Sequence, residues 1–305
     1  MILYKYLSLE NAWRVISNKK LRFTPPSELN DPFEMRPNYE SLGDAPEVQE
    51  QLTDENLRNV METEIGKQLD QMPEELFQVF PRELFSGFFG DVVPTTKDLA
   101  PGLFAEVTRL FGESIYSELQ GLVGVLCLSE RNDISLMWAH YAEAHRGLVL
   151  GFDSDSPFFE RRLHEKDDFG HLEKVSYRAN TSVQIIHLED GQEILYAKNP
   201  EWSYEKEWRM VLPLQDANEI IEKEDVRIHL FQFPPEALQE VIFGCRVAVN
   251  QRTEILSYMR AEKGYNHVQV FSADLDEQSR AITLKEIPIK RKSPETGESY
   301  QEESR

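Results

Sequence analysis

Two carboxylates and a guanidinium, each separated from the next by one residue, form the densest chemistry in this 305-residue chain. They lie in the run Lys198-Asn199-Pro200-Glu201-Trp202-Ser203-Tyr204-Glu205-Lys206-Glu207-Trp208-Arg209. A strand starting at Glu205 would project Glu205, Glu207 and Arg209 to one face and Lys206, Trp208 and Met210 to the other. On such a face Arg209 could hold one carboxylate ionised while the other meets a substrate. The plainer reading is a surface ladder of ion pairs, which adds little stability. Trp202, Tyr204 and Trp208 crowd around these charges, as the wall of a pocket requires.

Two further segments carry usable side chains. In Leu128-Ser129-Glu130-Arg131-Asn132-Asp133-Ile134-Ser135-Leu136-Met137-Trp138-Ala139-His140-Tyr141-Ala142, Asn132 or Asp133 can cap a helix on which Met137, Trp138 and Tyr141 share a stripe. An aromatic stripe of this kind is more often core than site. His140 stands beside it and is the one side chain there whose ordinary pKa lies near neutrality. Near the N-terminus, Tyr4 and Tyr6 alternate on one short strand, and Arg22 falls on the next, in Leu21-Arg22-Phe23-Thr24. Together they would offer stacking faces and one cation, which suits a nucleotide phosphate. The following Leu29-Asn30-Asp31-Pro32-Phe33-Glu34 reads as a rigid turn, because Asn and Asp side chains bond nearby amides and Pro32 keeps its predecessor out of the helical region.

The elements that must position these residues can be read from the apolar pattern. Strands are expected at 21–24, 122–129, 147–152, 174–177, 208–212, 240–244 and 267–271, with Leu3-Tyr4-Lys5-Tyr6 as a further short one. Helices are expected over 8–18, 135–144, 191–198, 235–239 and 250–263. Strands mostly follow one another without a helix between them. That order predicts a single α+β domain over 1–288, built on a mixed, mostly antiparallel sheet. Residues 40–120 read as an acidic helical insertion that Pro73, Pro81, Pro94 and Pro101 break into short helices. The tail 289–305 lacks large aliphatic residues and reads as disordered.

Charge narrows the function. The chain has 33 Lys and Arg against 54 Asp and Glu, a net −21, which argues against gripping a nucleic-acid backbone by bulk electrostatics. The excess is uneven: residues 1–39 carry six basic and four acidic residues, whereas 40–120 carry five and 17. A local cationic pocket is therefore still allowed. Cys127 and Cys245 make neither a disulfide framework nor a cysteine-rich zinc site, and they fit a reducing cytoplasm. The N-terminus lacks a signal-peptide pattern, and no stretch approaches the roughly 18 apolar residues of a membrane span. Phosphate-binding glycine loops, zincin helices and hydrolase elbows are missing from the sequence, and no metal site is expected.

Three motifs, Leu29-Asn30-Asp31-Pro32-Phe33-Glu34, Met137-Trp138-Ala139-His140-Tyr141-Ala142 and Trp202-x-x-Glu205-x-Glu207-Trp208-Arg209, together resemble a widespread, largely uncharacterised bacterial family often associated with phage-defence and mobile-element settings. A more distant similarity is to ADP-ribosyltransferases, which place a His or Arg on an early strand, a Tyr or Ser on a middle strand and a Glu, often within Glu-x-Glu, on a later one. Arg22 or the Tyr4-Lys5-Tyr6 strand, Ser129 and Glu205-Lys206-Glu207 fall in that order. The resemblance implies NAD as substrate, with no certain cofactor. Glu207 would stabilise positive charge on the ribose, Glu205 would orient or deprotonate the acceptor, and Arg22 would hold a phosphate. Tyr6 or Trp138 would stack on the nicotinamide, and Tyr4, Ser129, His140 and Arg209 complete the expected substrate-binding set. The rival expectation is a non-catalytic interaction or sensor module whose acidic insertion contacts a protein partner.

Overall fold

The computed structural model describes residues 1–36, 38–40, 100–162, 164, 169–179, 182–184, 195–223 and 226–288, with a few single positions between 63 and 71. Most of the 40–120 insertion, and the 289–305 tail, lie outside the described residues. The chain opens with strand β1 (Ile2–Leu7), helix α1 (Leu9–Asn18) and strand β2 (Lys20–Phe23). Ser8 starts α1 by accepting the Asn11 amide at 3.3 Å, and Lys19 ends it in the left-handed region at φ 57°. Ala12, Val15 and Ile16 form the helix face that packs inward.

Next come β3 (Asn38–Glu40), helix α2 (Ala100–Leu122), β4 (Val123–Ser129), helix α3 (Ser135–His140) and β5 (Leu148–Asp153). Short strands β6 (Leu172–Lys174), β7 (Ser176–Tyr177), β8 (Ser182–Gln184) and β9 (Ala197–Lys198) lead to β10 (Glu207–Pro213). The chain closes with β11 (Glu219–Lys223), β12 (Val226–Gln232), β13 (Leu238–Phe243), helix α4 (Val249–Ala261), β14 (Gln269–Asp276) and β15 (Ala281–Glu286).

The main sheet has the order β15-β14-β13-β5-β1-β4-β10-β6. All its pairs are antiparallel except β13 with β14, which α4 connects. This is the expected α+β class with a mixed, mostly antiparallel sheet. A second sheet, β11-β12-β2, lies beside it. Its alternate residues Leu21, Phe23 and Phe231 enter the main core with Leu3, Leu126, Leu150, Phe152 and Met210. The seam between β1 and β4 is thin. They pair at Tyr4 with Ser129, whereas Val125, farther along β4, exchanges both backbone hydrogen bonds with Thr24 at 2.9 Å. Two neighbouring strands that share a single pair must splay, and the splay opens a cleft.

Several elements differ from the sequence reading. Pro101 does not break a helix. It sits in the first turn of the 23-residue α2, where its missing N–H has no intrahelical partner to lose. Ala197 and Lys198 pair with Ser176 and Tyr177 as strand β9 rather than ending a helix over 191–198; of that stretch, 191–194 lies outside the described residues. Only Pro235–Ala237 of the expected 235–239 helix is helical, as a single 3₁₀ turn before β13. Helix α3 stops at His140 instead of 144, because Glu143, Ala144 and His145 all take left-handed backbone angles, with φ of 52°, 51° and 68°. The Ala144 and His145 amides bond back to Ala139 and Trp138, both at 3.2 Å, and Arg246 donates its amide to the His145 carbonyl at 3.0 Å.

A non-glycine residue in this region costs roughly 1–2 kcal/mol, of which glycine's extra unfolded-state entropy offsets about half to all. Ala144→Gly is expected to raise unfolding free energy by up to about 1 kcal/mol. Urea unfolding checks this, and a clear loss of stability would show that Ala144 gains more from its surroundings than its backbone costs.

Candidate functional site

Two segments distant in sequence, residues 31–34 and 198–209, bring charged groups to one buried spot. The Asp31-Pro32-Phe33-Glu34 turn is fixed by the Phe33 amide, which donates to Asp31 Oδ1 at 2.9 Å, and by the Glu34 amide, which donates to the Asp31 carbonyl at 3.0 Å. Lys198 stands on β9. Asn199 caps the following 3₁₀ helix, Pro200–Glu205, by accepting the Glu201 amide at 3.2 Å. Lys206 at φ 49° then turns the chain into β10. Glu205 therefore ends a helix instead of starting a strand, since the Asn199 cap and Pro200 in the first turn favour a helical start. The left-handed Lys206 restores what alternation alone would have given: Glu205 and Glu207 both turn toward Lys198.

The cluster is tightly bonded and nearly dry. Lys198 Nζ lies 2.6 Å from Glu205 Oε2, 2.9 Å from Glu207 Oε2 and 3.6 Å from Glu34 Oε1. Arg209 Nε donates to Glu207 Oε1 at 2.7 Å, Nη2 to Glu207 Oε2 at 3.2 Å and Nη1 to the Leu195 carbonyl at 2.8 Å, and the guanidinium also pairs with Glu34. Tyr141 on the turn after α3 donates its hydroxyl to Glu205 Oε1 at 2.6 Å. Trp202 covers Lys198, its ring centre 5.0 Å from Nζ. Glu34, Lys198, Glu205 and Glu207 are each less than a tenth exposed, and Arg209 is fully buried. The exposed ion-pair ladder is thereby excluded.

Burial sets the electrostatics. It pushes the Glu207 carboxyl above its ordinary pKa, with Lys198 the main opposing influence. Burial also works against the Lys198 ammonium, but Glu207 and then Glu205 outweigh it and hold the group above its usual value. The Cys127 thiol beside Glu207 is raised, first by burial and then by that carboxylate, so it is a poor nucleophile. Tyr141 is raised by burial and then by Glu205, which keeps its proton available to donate.

This cluster floors the cleft that the β1/β4 splay opens. The cleft has a volume of about 830 Å³, and its lining includes Tyr4, Tyr6, Arg22, Tyr141, Glu205 and Glu207. Of the residues expected from the sequence, Tyr4, Tyr6, Arg22, Glu205 and Glu207 thus meet at one place. Burial, followed by Glu240, pushes the Tyr4 hydroxyl's pKa up to about 12, so it stays neutral. Arg22 pairs with Glu28, and its Nε has no hydrogen-bond partner.

The other expected residues take different places. Ser129 is fully buried, donates to the Glu205 carbonyl at 2.6 Å and accepts the Arg131 amide at 3.1 Å, so it anchors the backbone that carries Glu205. Trp138 is fully buried, edge-on to Tyr6 at 5.6 Å, and its indole N–H donates to the Asn132 carbonyl at 2.7 Å. It is core and has no free face for a nicotinamide. His140 is exposed, edge-on to Tyr141 at 6.4 Å, and does not line the cleft. Arg209 props Glu207 from behind the floor. Trp202, Tyr204 and Trp208 do not wall the cleft; Tyr4, Tyr6 and Tyr141 do.

Sequence reasoning left Glu34, Lys198, Tyr141 and Cys127 out of the site. The first three stood inside the quoted motifs, and a buried carboxylate pair needs a cation close by, a requirement that could have singled out Lys198. Nothing in the apolar strand Val123–Ser129 marks Cys127. Among the described residues no group of three or more His, Cys, Asp or Glu could hold a metal ion, and no helix is long and apolar enough to cross a membrane.

Comparison with curated proteins and with solved structures finds no match. Residues 137–210, the stretch from α3 through Lys198, Glu205, Glu207 and Arg209, match the family described as "Protein of unknown function (DUF2971)".

Proposed function

We propose that the cleft binds a dinucleotide and that the chain is an ADP-ribosyltransferase-like enzyme acting on NAD. The observation that carries this reading is the distribution of charge in the cleft. Glu34, Glu205 and Glu207 gather at the floor, while Arg14, Lys20 and Arg22, from α1 and β2, line its wall, paired with the solvent-accessible carboxylates Glu10, Glu219 and Glu28 that a diphosphate would replace. NAD has matching polarity, with a cationic nicotinamide ring and an anionic diphosphate. The six cations and five carboxylates lining the cleft nearly cancel, in contrast to the chain's net −21.

In the reaction the bond between ribose C1′ and the nicotinamide nitrogen breaks, and nicotinamide leaves with the electron pair. The acceptor oxygen bonds to C1′ and gives up its proton. Glu207, gripped through both oxygens by Arg209, is a fixed charge beside the developing oxocarbenium, stabilising it without reorganising. Glu205, held by one ammonium and one hydroxyl, is the group to take the acceptor proton. The family resemblance would place this activity in defence or stress, and the unpaired Cys127 and Cys245 suit a reducing cytoplasm.

Nicotinamide release from NAD tests the proposal. Glu205→Gln and Glu207→Gln are each expected to lower it by about 10²–10³-fold, with melting curves run alongside to show that the variants fold. Equal, background-level release from the wild type and both variants would sink the catalytic claim. A second reading, a non-catalytic nucleotide sensor, is favoured by the fact that all four oxygens of Glu205 and Glu207 already have partners. Binding of NAD without any nicotinamide release would decide for the sensor.

A further inference from the structure

We infer that the open face of the β11-β12-β2 sheet is the ring subsite of this cleft and takes the adenine of the bound dinucleotide; this rests on the nucleotide reading above. The register places Ile221 directly opposite Ile228 and Arg22 directly opposite Leu230. Since side chains alternate across a strand, Ile221, Ile228, Leu230, Arg22 and Lys20 share one face. The opposite face carries Leu21, Phe23 and Phe231 into the core.

The open face lines the cleft, through Ile221, Ile228, Leu230, Arg22 and Lys20. Among the described residues nothing covers its apolar strip fully: Ile221 is 41% exposed and Ile228 is half-buried. A flat ring with few charges gains from covering such a strip, because the branched side chains leave water on binding. The neighbouring cation fixes what the ring is attached to. Glu28 takes only the Nη2 of Arg22, whose side chain stays 38% exposed, so the guanidinium keeps an open edge for a second anion. An apolar strip with an adjacent guanidinium is what a purine carrying a diphosphate needs. The anionic floor at Glu205 and Glu207 is left for the cationic end of the same molecule.

Calorimetric binding of ADP and of nicotinamide mononucleotide to the full chain tests this. Ile221→Asn and Ile228→Asn are expected to weaken ADP by at least about fivefold and to leave nicotinamide mononucleotide within about twofold. Ile220→Asn, an exposed neighbour on the opposite face, is expected to leave both unchanged. Wild-type protein that does not bind ADP, or ADP affinity equal in all three variants and the wild type, would overturn the subsite. Turnover of NAD by the same proteins separates the two ideas. Nicotinamide release that persists while ADP affinity ignores Ile221 and Ile228 refutes the subsite and leaves the enzyme standing. ADP binding that falls as stated, with no nicotinamide release from the wild type, supports the subsite and refutes the enzyme.

Discussion

Lys198→Met is expected to lower unfolding free energy at pH 8 by about 3–5 kcal/mol, and to lose much less at pH 5. Among the described residues Lys198 is the one cation within 4 Å of all three of Glu34, Glu205 and Glu207. Without it, Glu205 keeps the Tyr141 hydroxyl, while Arg209 alone must serve Glu34 and Glu207. Breaking a buried pair costs more than the pair is worth, because the remaining charge stays desolvated. The pH dependence follows from the direction of the shifts. Burial already raises the Glu207 carboxyl, and removing Lys198, the main opposing influence, raises it further. A carboxyl whose folded pKa exceeds its unfolded value favours the folded state at low pH, and that advantage disappears as pH rises through the folded pKa. In the wild type the raised Lys198 pKa has the opposite utility, because the ammonium's stabilisation persists through neutral pH and is lost only as the solution rises through that elevated value. Thermal melts of both proteins from pH 5 to pH 8 read the difference. A gap that stays constant across this range would show that Lys198 does not act through these carboxylates. Adding Glu205→Gln to Lys198→Met should restore part of the loss, since the double variant no longer buries that charge.

Some of this architecture could be read directly, and the reason is period. Glu207 and Arg209 share a face because a strand alternates, and Met210 faces the other way into the core, as the sequence predicts. The α+β class followed from strands that succeed one another without intervening helices. What could not be read was set by backbone turns with no periodic signature. Lys206 in the left-handed region lets a helix-terminal Glu205 meet a strand residue, and nothing about a lysine announces that conformation. Strand β11, Glu219–Lys223, carries no apolar–polar alternation and gives no strand signal, whereas Val226-Arg227-Ile228-His229-Leu230 of β12 does alternate and is a strand the sequence reading missed. With them went the apolar strip of the cleft. The role of Ser129 differed from expectation for a similar reason. Its place on the middle strand was legible, but its full burial and its bond to the Glu205 carbonyl depend on where Lys206 turns. Trp138 followed the commoner fate of aromatic stripes, since the indole fills the core beside Tyr6 and meets its hydrogen-bond need at Asn132.

Gly147→Ala is expected to destabilise the protein by about 3 kcal/mol or more, because the new methyl has no room that a side chain could vacate. A Cβ on Gly147 would fall 2.0 Å from the Leu7 carbonyl oxygen and 3.1 Å from the Ala142 carbonyl carbon, and both are backbone atoms. The crowding is built into the connection. The chain leaves three left-handed residues, Glu143 to His145, and must immediately enter β5, where Leu148 pairs with Leu7. Gly147 makes that passage with its amide on the Ala142 carbonyl at 2.8 Å, and its own carbonyl accepts the Gly244 amide at 3.0 Å. Gly244 is equally confined, since its Cβ would meet the His145 carbonyl oxygen at 2.3 Å. Relief would require β1, β5 or the end of β13 to move, and those strands hold the core. The damage should reach the cleft as well, because the same turn leads from Tyr141, the donor to Glu205 Oε1. Gly121→Ala provides the control: it lies in the last turn of α2 with nothing within 4 Å of its Cβ, and should be neutral or stabilising by up to about 1 kcal/mol. Urea denaturation of both variants is decisive. A Gly147→Ala unfolding free energy within about 0.5 kcal/mol of the wild type would mean that the β1 and β5 ends yield freely, and that the turn does not fix Tyr141 over the carboxylates.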